Sequence, residues 1–110
     1  MEHVLFIQKT KPEKKAEYIA SHKECWPELL RAVKASGIGR ELIWMNGNTI
    51  IIYIMTEDFE KSIASLVENP VYKKWNEKVG LLLAEMQDFE GGNVIQLEKV
   101  FDLERQLQES

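Results

Sequence analysis

The stretch RELIWMNGNTIIIYIMT, Arg40 to Thr56, leaves this chain little freedom. Two runs of β-branched and aromatic residues flank Asn46-Gly47-Asn48. Asn-Gly is favoured in the tight turn whose twist matches two antiparallel strands, so the segment predicts a β-hairpin. Upstream, HVLFIQKT is a short apolar run of β-formers closed by KPE, which reads as a strand running into a helix start. From about Pro12 to Ser36 the pattern is helical, with Ala16, Ile19, Ala20, Leu29, Leu30 and Val33 as candidate buried positions. Pro27 lacks an N–H and clashes with the turn before it, so this helix must kink or restart near Trp26, and Gly37 suits its C-terminal end.

After the hairpin, DFEKSIASLVE predicts a helix capped by Asp58. NP breaks it, and a second amphipathic helix is expected from about Val71 to Met86. FEGGN reads as a loop, VIQLEKVF (94–101) as a final strand, and DLERQLQES as a polar tail that frays or caps a neighbour. The resulting order, β-α-β-β-α-β with the second helical region split, is the ferredoxin-like α+β arrangement, a four-stranded antiparallel sheet with both helical layers on one side. The other sheet face must be wet or covered. TIIIYIMT is apolar in both phases, Ile50, Ile52 and Ile54 in one and Ile51, Tyr53 and Met55 in the other. VIQLEKVF is similarly mixed, so a homodimer stacked sheet to sheet is expected, with a cavity between sheet and helices or between subunits.

Composition sets the outer limits. With 110 residues, residues 1–110 are read as one domain with one core. The net charge of −4 is spread rather than blocked, and the densest basic run, Lys9 to Lys15, is interrupted by Glu13. No basic stripe points to nucleic acid. Cys25 is the single cysteine, so no intramolecular disulfide or CxxC metal site is expected. No apolar run reaches the ~20 residues that cross a bilayer, and the N-terminus does not read as a signal peptide. The expected location is the cytoplasm, with no membrane partner.

The chemistry-bearing candidates begin in YIASHKECWPEL. Tyr18, His22 and Trp26 are spaced by four, which on a continuous helix places them along one face. Two readings stand: a piece of core in which His22 bonds a backbone carbonyl, or a site with Trp26 as one wall. His22 is the best general acid/base candidate, because imidazole gives and takes a proton near working pH. Tyr72 and Trp75, three apart on the later helix, are either a second wall or core. Phosphate loops, nucleophile elbows and HExxH are absent from the sequence.

EYIASHKECWPELLRAVKASGI resembles the hallmark helix of the L-rhamnose mutarotase family, Tyr-x3-His-x3-Trp-Pro-Glu followed by Leu or Met and ending in glycine. The resemblance continues through VYKKW and LEKVFDL and spans essentially the whole chain. It implies a dimeric ferredoxin-like α/β barrel and a cofactor-free isomerase that interconverts the α and β anomers of a deoxyhexose, without metal. It further implies His22 as proton donor, Tyr18 as a substrate-binding residue, and Trp75 as the first of two adjacent tryptophans lining the sugar pocket. This chain departs from the pattern at Glu41, where the family usually has tyrosine, and at Asn76, where it has a second tryptophan. Both changes put a polar group where an aromatic wall is expected, which bears on which sugar fits, L-rhamnose or another such as L-fucose. Trp26 and Trp75 would face the C–H surfaces of the sugar, and Glu41 is a ligand, a partner base or a solvated strand residue. Cofactor-free monooxygenases, heme-binding proteins and non-catalytic stress proteins share the implied fold, so these remain rival readings, as does a catalytically silent sugar-binding protein.

Overall fold

The computed structural model describes residues 1–109. The hairpin forms where Asn-Gly places it: β2 (Ile38–Asn46) and β3 (Thr49–Thr56) pair antiparallel around Gly47, whose φ of +62° suits glycine. β1 (Glu2–Thr10) lies antiparallel on the other edge of β3, with Phe6 opposite Ile52 and Gln8 opposite Ile50. A short fourth strand, β4 (Leu83–Glu85), pairs with the end of β1, giving the order β2-β3-β1-β4 of a ferredoxin-like α+β sheet.

Helices α1 (Lys15–Lys23), α2 (Pro27–Ala35), α3 (Phe59–Val67) and α4 (Pro70–Gly80) account for the covered side of the sheet. Toward them point Val4, Phe6, Gln8 and Thr10 of β1 and Ile50, Ile52, Ile54 and Thr56 of β3, all buried. Leu29, Phe59, Ile63, Leu66, Tyr72, Trp75 and Val79 close the core from the helical side. At ~1.5–3 kcal/mol per buried large apolar side chain, this layer is the main driving force for the fold. At the α2–β2 junction Gly37 has φ +102°, its carbonyl accepts from the Thr56 hydroxyl (3.1 Å), and an added Cβ would lie 3.3 Å from the Ser62 Oγ. A side chain there would strain the backbone and crowd a buried polar pair.

Pro27 does more than kink the first helical region. α1 stops at Lys23, Trp26 is extended (φ −61°, ψ 129°), and α2 restarts with Pro27 in its first turn. Tyr18 and His22 therefore share a helix but Trp26 does not, which corrects the expected three-residue stripe. Ala16, Ala20 and Leu30 are exposed, and Ile19 and Val33 only half-buried, because α1 buries only Tyr18 and α2 only Leu29.

Two C-terminal expectations also change. The second amphipathic helix ends at Gly80, and part of its expected last turn becomes β4, held by the Lys11 N–H on the Leu82 carbonyl (2.9 Å). The run 94–101 is not a regular strand. It touches β1 at a single bridge, Phe6 to Gln96, with the Leu97 N–H donating to the Leu5 carbonyl (2.7 Å). Beyond it the polar tail forms a helix, α5 (Leu103–Glu109), rather than fraying. Ile95, Leu97, Val100 and Phe101 on this arm are exposed.

Candidate active site

Between the covered sheet face and the helices lies an open-mouthed cavity of about 740 Å³. It takes its walls from every layer: Gln8 from β1, Tyr18 and His22 from α1, Glu41 from β2, and Tyr72, Trp75 and Asn76 from α4. The volume suits a small organic ligand.

His22 is placed by its own helix. Its Nδ1 lies 2.9 Å from the Tyr18 carbonyl, one turn earlier. A carbonyl only accepts, so Nδ1 carries the proton, and in the neutral ring Nε2 is an unprotonated base. Burial lowers the His22 pKa below its usual value; the bond to the Tyr18 carbonyl opposes this, and the nearby Lys78 charge adds to it. Rings lock the imidazole in place, with Tyr18 at 4.1 Å between centroids and Trp75 edge-on at 5.2 Å.

Trp75 is the hinge of an aromatic cluster. Trp26 packs edge-on against it at 5.2 Å, and the Lys78 ammonium sits 5.4 Å from the Trp26 ring and 5.6 Å from Trp75. Trp26 is half-buried and lies outside the cavity lining, so it buttresses Trp75 from behind. His22 bonds a backbone carbonyl, as the core reading expects, and it also lines the cavity.

Glu41 stands on β2 opposite Ile54 and faces the same cavity. Its residue surface counts as exposed, because the wall of an open cavity is reachable by solvent. The protein packed around the carboxyl governs its ionisation, and burial pushes its pKa up to about 7. Its charge also raises the Tyr18 and Tyr72 hydroxyl pKa values, after the larger effect of their own burial, so three oxygen groups share one electrostatic neighbourhood. Asn76, one turn after Tyr72, hydrogen-bonds its hydroxyl and borders a second recess of about 340 Å³. Cys25 is half-buried at the cavity wall, where burial raises its thiol pKa.

Structure thus gathers Tyr18, His22, Glu41, Trp75 and Asn76 around one volume and sets Trp26 behind it. Of the polar lining residues, Gln8 and Arg40 are among those that escaped the sequence reading as site candidates, and Tyr72 stayed ambiguous. Gln8 carried a signal: it follows Val4 and Phe6 in the buried phase of β1, and a polar residue in that phase has a partner or a task. Among the described residues no group of three or more metal-ligating side chains comes together.

A ferredoxin-like sheet with a polar and aromatic pocket under its helices defines the ferredoxin-like class of small α+β proteins, here with an imidazole whose pKa burial lowers and a carboxyl whose pKa burial raises in that pocket. The family model described as L-rhamnose mutarotase matches residues 3–103. An L-rhamnose mutarotase of Burkholderia orbicola is 31% identical over 107 residues, covering 94% of this chain and all of that one (100%). The chain belongs to the L-rhamnose mutarotase family, which is a family of isomerases. A crystal structure of an L-rhamnose mutarotase from Formosa agariphila superposes with a TM-score of 0.74 at 23% identity, covering 94% of this chain and 99% of the other. The fold is wider than the family. A putative antibiotic biosynthesis monooxygenase from Bordetella bronchiseptica superposes at 0.67 with 16% identity, over 90% and 96% of the two chains.

Proposed function

We propose that this chain is a sugar mutarotase that interconverts the α and β anomers of L-rhamnose by acid/base ring opening and closure. The observation that carries the reading is the His22 imidazole, its Nδ1–H held on the Tyr18 carbonyl and its Nε2 free in a cavity of sugar size.

Mutarotation requires one proton to leave the anomeric hydroxyl and one to reach the ring oxygen. His22 Nε2 takes the anomeric proton as the C1–O5 bond breaks and C1=O1 forms, and a second group protonates O5. Glu41, whose pKa burial raises to about 7, keeps a proton closer to neutrality than an ordinary carboxyl and fills the role. The open aldehyde rotates about C1–C2, closes on its other face, and both protons return. Because the reaction runs both ways, His22 is base in one half and proton donor in the other. Each positioned transfer contributes ~10²–10⁴-fold. Tyr18 binds a hydroxyl, and Trp75 offers its face to the apolar side of the sugar. Glu41 and Asn76, polar where the family pattern has aromatics, hydrogen-bond hydroxyls and bring a stereoisomer such as L-fucose into range.

Its working form in this reading is a cytoplasmic homodimer. The open sheet face is half-buried at Ile51, Tyr53 and Met55, and Trp44 is 55% exposed, which is apolar area for a second copy to cover. Among the described residues no helix is long and apolar enough to cross a membrane.

Saturation-transfer NMR on α- and β-L-rhamnose is the test. The wild type should exchange anomers faster than buffer, and His22→Ala should return exchange to the buffer rate while keeping the circular dichroism spectrum. A wild type that leaves every pyranose in a small panel at its uncatalysed rate would remove the enzyme reading. Sugar binding without faster exchange would leave a silent binding protein, and a Soret band with hemin would favour the heme-binding rival.

A further inference from the structure

Gln8 is only 4% exposed, yet it forms part of the cavity wall. Its Oε1 accepts from the Gln87 backbone N–H at 3.0 Å. An N–H can only donate, so this bond fixes which end of the amide is oxygen, an assignment that is otherwise ambiguous. Gln87 is itself immobilised: its Nε2 donates to the Ile7 carbonyl (2.9 Å) and its Oε1 accepts from the Ile95 N–H (2.8 Å). The other end of Gln8, Nε2, finds no acceptor among the described residues. Nor is it sealed off, since no buried side-chain polar atom among them lacks a partner. Gln8 lines the same cavity as Tyr18, His22, Glu41 and Trp75, and with Oε1 tied to Gln87 the two amide N–H donors are what it has left to offer a ligand there.

We infer that Gln8 is a substrate-recognition residue, its Nε2 donating a hydrogen bond to one hydroxyl oxygen of the bound sugar. The inference rests on the mutarotase reading of this cavity. Gln8 stands out because Val4 and Phe6 before it in the same phase are apolar, the Thr10 hydroxyl after it is paired with Asn48, and Ile50 opposite it on β3 is fully buried. An apolar residue would fill that place, and the amide is held there by a segment 79 residues away in sequence. A rigid donor is suited to telling one hydroxyl pattern from another, because a sugar lacking its acceptor leaves the amide unpaired.

The test combines Gln8→Glu with L-rhamnose and its 2-, 3- and 4-deoxy analogues in the anomer-exchange assay. Glu keeps the acceptor for the Gln87 N–H and removes both donors. Its KM for L-rhamnose should rise roughly tenfold or more, with a smaller change in kcat. One deoxy sugar that wild type binds poorly should be bound by the variant no worse than L-rhamnose. Gln87→Ala keeps the backbone N–H that Gln8 accepts and loosens only the segment that presents it, so it should lower the melting temperature and raise KM by less than Gln8→Glu does. An unchanged KM in Gln8→Glu, or equal KM increases in both variants, would overturn the inference. If Gln8→Glu does not fold, the wild-type Gln8 side-chain amide signals decide the matter. They should shift on titration with L-rhamnose, and shifts at the Trp75 indole without any at Gln8 would also overturn it. Failure of the wild type to accelerate exchange would instead strike the mutarotase reading.

Discussion

His22 and Glu41 show how surroundings set the chemistry of ordinary side chains. Burial pushes the imidazole toward its neutral form and the carboxyl toward its protonated form, so each resists the charge it would more readily carry in water. Stability responds to the same shift. The folded Glu41 holds its proton more tightly than the unfolded one, so its contribution is fully present below pH 4.5 and is lost as pH rises through about 7. Glu41→Gln removes that loss. The melting temperature of the variant relative to wild type should be higher at pH 8 than at pH 5, and an equal difference at both would show that the carboxyl does not titrate in this range. The acid limb of kcat/KM should lie below the usual histidine value of about 6.5, because His22 resists protonation.

At the scale of elements, caps and breaks were the most readable features. Asp58 Oδ1 accepts from the Lys61 N–H at 3.1 Å, as its place before FEKSIASLV suggests. Asn69 accepts from both Val71 and Tyr72 N–H groups at 2.9 and 3.2 Å and sets the start of the helix that carries Tyr72, Trp75 and Asn76. Asn69→Ala should cost about 1 kcal/mol in urea unfolding. Anomer exchange should slow more than stability alone explains, since α4 carries Tyr72, Trp75 and Asn76 on the cavity wall. β4 was not readable: LLLAE satisfies a helical period as well as a strand, and only its pairing beside Lys9 and Thr10 decides. The arm 94–101 misled in the other direction, since its alternation is that of a strand but β1 offers it one bridge. Trp26 was placed on the wrong side of a break because spacing by four assumes a continuous helix, and Pro27 ends that continuity.

For the molecule as a whole, apolar surface remains after folding. Trp44 on the open sheet face and Val100 and Phe101 on the arm are 55, 86 and 62% exposed. A second copy covering both would bury area that a lone chain leaves in water, and Trp44→Glu should therefore shift sedimentation toward monomer. A wild type that sediments as monomer at micromolar concentration would rule that assembly out.

The sequence by itself determined the hairpin, the helix caps, the break at Pro27 and the pairing of Tyr18 with His22 on one helix. Each depends on groups within about four residues, where backbone geometry alone relates them. Its family pattern also marked Glu41 and Asn76 as the unusual positions. Only the tertiary structure decided that Glu41 faces a cavity where burial raises its carboxyl pKa, that Trp26 packs against Trp75 outside the cavity lining, and that Gln8 lines the same space. Those outcomes depend on which distant segments surround a side chain, and burial and desolvation are set by packing across the sheet, not by neighbours along the chain.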